Sequence, residues 1–96
     1  TFILGHSGAQ QFEEALALAQ RYPNVWLETS CQALSNVRRI VDEAPTDRVL
    51  FGSDWPFYSQ AMQLAKVLIA TEGQDQLRRQ ILWQNASRLL NLGLEA

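Results

Sequence analysis

Short apolar runs alternate with amphipathic stretches along most of the chain. The runs at 2–4, 25–29 and 49–51 are rich in β-branched, aromatic and leucine residues, and each leads into a glycine or a polar group. Between and after them, apolar residues recur at i, i+3, i+4 and i+7, the spacing of one helix face. The pattern therefore predicts three strands, each followed by a helix.

The predicted helices are delimited by familiar start and stop residues. Pro23 ends the first helix; the second begins near Ser35 and ends at Pro45, and Ser59 caps a third that stops by Gly73. The predicted buried faces are Phe12, Ala15, Leu16 and Ala19 in the first helix, Val37, Ile40, Val41 and Ala44 in the second, and Met62, Ala65, Leu68 and Ile69 in the third. Two further helical stretches, at 75–84 and 85–92, follow with no strand between them.

This order of elements predicts an α/β fold. Each helix is the crossover that returns the chain to the same end of the sheet, so the strands should be parallel and adjacent in chain order. Strands this short and apolar are expected to be buried on both faces. Three strands alone leave two open edges. We therefore expect residues 1–96 to be one partial domain, whose other strands lie upstream in a longer protein.

Composition narrows the possible partners. The formal net charge is −2, and the basic residues are scattered apart from Arg38-Arg39 and Arg78-Arg79, which argues against nucleic acid. No apolar run reaches the ~20 residues of a membrane span, so no membrane partner is expected. Cys31 is the single cysteine and has no internal disulfide partner, which favours a reducing, cytoplasmic location.

Candidate chemistry clusters at the predicted carboxyl ends of the strands. His6 follows the first strand, Glu28 closes the second, and Asp54 follows the third. In parallel α/β folds this end of the sheet carries the ligand site. A carboxylate there can bind a divalent metal and accept a proton from water, and an imidazole can orient that water or donate a proton.

Structural roles for the same residues remain open at this point. Asp54 can serve as a turn or N-cap residue, His6 as a turn or core residue, and Glu28 as a charge satisfied at a neighbouring strand end or as a substrate contact. Cys31 is expected to be a buried thiol, with a nucleophilic role as the minor alternative.

The stretch VLFGSDWPF contains the most distinctive of these candidates. Gly52 precedes Asp54 and permits close approach of a ligand or of backbone, while Pro56 restricts Trp55 and stiffens the loop. Gly5 and Gly8 flank His6 in the same way. The loop after the third strand is therefore predicted to hold Asp54 in one direction.

In combination these motifs resemble a known family. ILGHSG, VWLETS and RVLFGSDWPF, followed by the helix that begins with Asn85-Ala86-Ser87-Arg88-Leu89-Leu90, are similar to the closing section of the amidohydrolase superfamily, in its amidohydrolase-2 branch. That branch includes metal-dependent lactonases, other hydrolases and some non-oxidative decarboxylases. The resemblance covers essentially the whole chain, and its most specific parts are GSDWPF and the helix that begins with Asn85.

The resemblance implies a TIM-type (β/α)₈ barrel, of which this chain would supply strands six to eight, their helices and a C-terminal helix. It implies that Asp54 is a metal ligand and general base, and that His6 orients water or polarises the substrate. Trp55 and Phe57 would wall the pocket, and Glu28 is a further candidate substrate contact. The cofactor expected from the resemblance is a divalent metal, zinc by preference, with its other ligands upstream.

The function expected is a metal-dependent hydrolase of a small cyclic ester or amide. Two alternatives stand beside it: a non-oxidative decarboxylase on the same scaffold, and a non-catalytic α/β fragment or interaction module. The isolated chain is expected to be inactive and to associate with itself, as a homo-oligomer, or with the missing part of the barrel.

Overall fold

The computed structural model describes residues 1–94 and contains one parallel three-stranded sheet. The strands are β1 (Phe2–Leu4), β2 (Val25–Glu28) and β3 (Val49–Leu50), hydrogen-bonded in the order β1-β2-β3. Leu4 pairs with Leu27, and Glu28 pairs with Leu50. The predicted α/β class, parallel pairing and chain order are confirmed, while β2 and β3 each end one residue earlier than predicted.

The first two helices pack as their periodicity predicted. In α1 (Phe12–Arg21), all four predicted core residues are buried. In α2 (Leu34–Glu43), the predicted residues up to Val41 are buried. Ala44 lies just beyond the helix and is only partly buried, although it still packs against the core.

The predicted face of the third helix is wrong. The helix α3 (Gln60–Ala70) is capped as expected, because the Ser59 hydroxyl accepts a hydrogen bond from the backbone N–H of Met62 at 3.4 Å. The buried residues of α3, however, are Gln63 and Val67. Its predicted inward residues, Met62, Ala65, Leu68 and Ile69, are all exposed. The apolar residues of α3 lie on all sides of the helix, so their spacing fits more than one buried face. Packing against α2 determines which face is buried.

The C-terminal part forms one continuous helical path, where two stretches were predicted. It comprises α4 (Asp75–Arg79), a π-helical turn (Gln80–Gln84) and α5 (Asn85–Leu90). The path ends at Asn91, whose φ of 56° is left-handed. The Asn85 side chain is fully buried and donates hydrogen bonds to the carbonyls of Thr46 at 2.7 Å and Val49 at 2.8 Å. This amide fastens the C-terminal helix to the start of β3.

The core lies between the sheet and the helices and is centred on β2. Leu27, Ile40 and Val49 have no exposed surface. Burial of both faces, as predicted, holds for β2 and β3 but not for β1, where Phe2 is 63% and Ile3 50% exposed. β1 is an edge strand, and within residues 1–94 helical cover reaches only its Leu4 end. No helix in this part of the chain is long and apolar enough to cross a membrane.

Candidate metal centre

The carboxyl ends of the three strands bring three potential metal donors together. One ligand atom each from His6, Cys31 and Asp54 lies within 4.8 Å of the others. The donors come from three separate loops, after β1, after β2 and after β3, so the parallel sheet is what assembles them. The three side chains are partly buried, which leaves them accessible to a ligand.

The backbone at all three donors is left-handed. The φ angles are 55° at His6, 65° at Cys31 and 58° at Asp54. Non-glycine residues adopt this region rarely, at a cost of about 1–2 kcal/mol each. Outliers of this kind concentrate at functional sites, where the surrounding structure holds a side chain in a required direction. Three of them within one group of donors mark this end of the sheet as the candidate site.

Glu28 connects the loops after β1 and β2 through hydrogen bonds. Its Oε1 accepts hydrogen bonds from the His6 backbone N–H at 3.0 Å and from the Ser30 hydroxyl at 2.7 Å. Its Oε2 accepts from the Ser30 backbone N–H at 2.5 Å. Both oxygens are thus engaged within the chain. In the structure, Glu28 holds the loops after β1 and β2 together. A role for Glu28 as a substrate contact stays a prediction.

The hydrogen bonds around Ser30 define the protonation pattern of the His6 ring. An ionised Glu28 carboxylate only accepts, so the single proton of the Ser30 hydroxyl is directed to it. The Ser30 oxygen, 2.8 Å from His6 Nδ1, must then accept from that nitrogen. Neutral His6 is consequently the Nδ1–H tautomer. Its Nε2 lone pair remains for a metal or for a proton in transit.

Cys31 is not the buried thiol that was expected. It is partly exposed, and its Sγ donates a hydrogen bond to Asp54 Oδ2 at 3.2 Å. Desolvation raises the pKa of the Cys31 thiol, and the hydrogen bond and negative charge of Asp54 raise it further. The loop geometry that turns Cys31 towards Asp54 has no signature in the sequence, since a single cysteine after a strand is more often structural.

The Cys31 loop is anchored by side chains that sequence analysis missed. Gln63 of α3 accepts a hydrogen bond from the Cys31 backbone N–H at 3.3 Å, and Lys66 donates to the Gln32 carbonyl at 3.0 Å. The Gln32 amide in turn donates to the carbonyls of His6 at 2.5 Å and Ala9 at 3.1 Å. A glutamine on an apolar helix face was the only available signal for Gln63.

The comparison with known families decides where this arrangement belongs. A family model described as amidohydrolase matches residues 1–92. The chain belongs to the amidohydrolase family. Family membership indicates a metal-dependent, hydrolase-like function for this domain. A search of curated proteins returned no match.

The donors of this amidohydrolase chain suit a divalent metal. Imidazole nitrogen, thiolate sulfur and carboxylate oxygen are the three side-chain ligand types that zinc takes in proteins. The hydrogen bond from His6 Nδ1 to Ser30 resembles the outer contacts that orient metal-binding imidazoles. The residues present therefore fit a divalent cation at the carboxyl ends of the strands.

The two aromatic residues predicted to wall the pocket lie in the loop after β3. Trp55 is 72% and Phe57 81% exposed. The loop has a cis peptide bond between Trp55 and Pro56, and the Trp55 backbone N–H donates to the Ser53 hydroxyl at 3.2 Å. Substrate contacts by these two rings stay a prediction.

Proposed function

We propose that this chain is the closing portion of a (β/α)₈ barrel, supplying strands six to eight, and that the complete protein is a metal-dependent hydrolase of a small cyclic ester or amide. The observation that carries the proposal is the placement of His6, Cys31 and Asp54 within 4.8 Å at the strand ends of an amidohydrolase chain. The parallel order β1-β2-β3 supports the barrel assignment.

Asp54 is the residue on which the proposed chemistry depends. Its carboxylate would hold a divalent metal, zinc in this proposal, and accept a proton from the attacking water. A cation held there supplies Lewis acidity, which polarises a substrate carbonyl and acidifies water. The left-handed backbone at Asp54 turns the carboxylate towards Cys31, on the loop after β2.

His6 is assigned the second proton-handling role. With Nδ1–H directed to Ser30, Nε2 is the atom that would orient water or polarise the substrate. Glu28 supports this role from behind, because the same carboxylate oxygen accepts from both the His6 backbone and the Ser30 hydroxyl. Trp55 and Phe57 would then cover the apolar part of a substrate over the strand ends.

The proposal requires further β-strands that cover β1. Phe2 and Ile3 point to opposite faces of β1, and both are half-exposed or more, whereas parallel strands in barrels are covered on both faces. We assign this surface to the remaining strands of the barrel, with a second copy of the chain as the alternative for an isolated fragment. A cytoplasmic location is part of the same proposal.

The proposal is tested with the full-length protein, stripped with a chelator and reloaded with zinc. A panel of lactones and cyclic amides is assayed for ring-opened product, beside aromatic and enoic acids assayed for released carbon dioxide. Zinc-dependent ring opening is the expected result. Carbon dioxide release without ring opening would replace the proposal with a decarboxylase, and no metal-dependent turnover of either kind would contradict an enzymatic role.

A further inference from the structure

Cys31 lies inside the proposed metal centre, although neither the hydrolytic roles assigned above nor the sequence required it there. Its Sγ is 3.2 Å from Asp54 Oδ2 and belongs to the same group of donor atoms as His6. The two side chains lie on the loops after different strands, 23 residues apart, so their contact is produced by the fold.

We propose that Cys31 is a sulfur ligand of the divalent metal, beside the carboxylate of Asp54. The inference rests on the proposed function, since it takes a metal at this site as given. It adds a donor that changes which metals the site prefers. His6 remains next to the same metal, where its Nε2 can act on water or substrate.

The distance between the two donors fits shared coordination. Zinc–sulfur and zinc–oxygen bonds of about 2.3 and 2.0 Å at a tetrahedral angle separate the two donor atoms by about 3.5 Å. The observed separation of 3.2 Å is close to that value. A small outward movement of either side chain would open the space, so no rearrangement of the loops is needed.

The environment of Cys31 contains a second sign of an absent ligand. Gln63 is only 2% exposed, and its Nε2 finds no hydrogen-bond partner within residues 1–94. Exchanging its amide oxygen and nitrogen does not help, because Oε1 is needed to accept from the Cys31 backbone N–H. A buried, unpaired N–H donor calls for an acceptor, such as a water molecule or a substrate oxygen bound beside the metal donors, and not for the cation itself. Here it lies on the amide group that contacts Cys31.

Metal binding by Cys31 has a definite proton balance. Without a metal, the Cys31 sulfur carries one proton, which it donates to the Asp54 carboxylate. When the cation binds, the S–H bond breaks, the sulfur keeps the electron pair and donates it to the metal, and the proton leaves to solvent. No oxidant or reductant takes part.

A thiolate ligand selects the class of metal. Sulfur favours zinc, cobalt and cadmium over magnesium and calcium, which prefer oxygen alone. We therefore expect the site to take zinc or cobalt in the presence of excess magnesium.

Cobalt(II) substitution of the full-length protein tests this directly. The expected result is a near-ultraviolet thiolate-to-cobalt charge-transfer band that disappears in Cys31→Ser, while the variant still binds cobalt more weakly. Loss of outer-shell partners alone weakens metal binding by about 10–100-fold, so we expect at least tenfold weaker binding here. Thr29→Ser, also after β2 but outside the donor group, serves as the control and should retain the band.

A second measurement needs no variant. Alkylation of Cys31 by iodoacetamide should slow at least tenfold when zinc is added to the metal-free protein, recover on chelation, and stay fast with magnesium. Equal alkylation rates with and without zinc would overturn the inference even if Cys31→Ser failed to fold.

The outcomes separate this inference from the proposed function. A cobalt-loaded protein that opens lactones but lacks the near-ultraviolet band, or keeps it in Cys31→Ser, leaves the hydrolase proposal standing and removes Cys31 as a ligand. A protein that binds no cobalt at all contradicts both.

Discussion

Gly52 and Glu28 are in such close contact across the ends of β3 and β2 that a side chain at position 52 has no room. A Cβ placed on Gly52 would lie 2.7 Å from Glu28 Cδ and 3.2 Å from its Cγ. Glu28 cannot withdraw freely, because its carboxylate accepts hydrogen bonds from His6 and Ser30. The glycine in GSDWPF therefore makes room for the carboxylate that organises the site.

Gly52→Ala should displace Glu28 and destabilise the fold. The expected loss in the free energy of unfolding is about 1–3 kcal/mol, the range for an extra methyl group forced into a packed position. Urea unfolding measures it. Gly5→Ala is the matched control, since within residues 1–94 no atom beyond the neighbours of Gly5 in the chain lies within 4 Å of a Cβ placed there, and the residue is exposed. Equal stability of the two variants would show that the Glu28 contact is unimportant.

The hydrogen bond to Ser30 should control the tautomer of His6. Nitrogen-15 NMR of the neutral ring is expected to show the Nδ1–H form, because the Ser30 hydroxyl proton is committed to Glu28. Ser30→Ala removes the acceptor and should shift the population towards Nε2–H. Ser53→Ala, whose hydroxyl bonds Trp55 instead, should leave the ring unchanged. A wild-type ring in the Nε2–H form would refute the assigned hydrogen bonds from His6 to Ser30 and from Ser30 to Glu28.

Asn85 should prove the most sensitive position in the C-terminal helix. Asn85→Ala leaves the buried carbonyl of Val49 and the partly buried carbonyl of Thr46 without this donor, so we expect a loss of about 2–4 kcal/mol in the free energy of unfolding. Gln76→Ala, an exposed residue of α4, should change it by less than about 0.5 kcal/mol. Calorimetric or denaturant unfolding of both variants provides the comparison, and similar losses would contradict the fastening role.

The pH dependence expected at Glu43 follows from Arg39. A hydrogen bond from the guanidinium lowers the pKa of the Glu43 carboxyl, partly offset by desolvation, with its positive charge as a smaller lowering contribution. The contribution of Glu43 to stability is thus present above the ordinary glutamate pKa and is lost as pH falls through the folded-state pKa. Arg39→Gln should raise that pKa towards its ordinary value in an NMR titration, and Arg38→Gln should not. An unchanged Glu43 titration in Arg39→Gln would refute the pairing.

The fold was largely predictable because periodicity and stop residues describe local structure. The buried faces of α1 and most of α2 followed from apolar spacing, and strand order followed from the handedness of parallel connections. The buried face of α3 could not be predicted, because α3 has apolar residues on all of its sides. Its orientation depends on packing against α2 and on two hydrogen bonds with a distant loop, one that Gln63 accepts from the Cys31 backbone N–H and one that Lys66 donates to the Gln32 carbonyl.

The position of the candidate site at the strand ends was predictable, but the directions of its side chains were not. That rule brought His6 and Asp54 to the same region without any knowledge of loop geometry. Cys31 escaped because its direction depends on a left-handed backbone, which nothing near it in the sequence requires. The hydrogen bonding of both Glu28 oxygens could not be predicted for a similar reason, since the partners of Glu28 include the backbone N–H of His6, on the loop after β1.

The most direct test of the central claim is the turnover of Asp54→Asn in the full-length, metal-loaded protein. The amide preserves the size of the side chain but removes the negative charge that holds the metal and the basicity that takes the proton. We predict a fall in kcat of at least about 100-fold, or roughly 2.7 kcal/mol, with the circular dichroism spectrum unchanged. Retention of more than about a tenth of kcat, a deficit under roughly 1.4 kcal/mol, would contradict it and leave Asp54 as a structural turn residue.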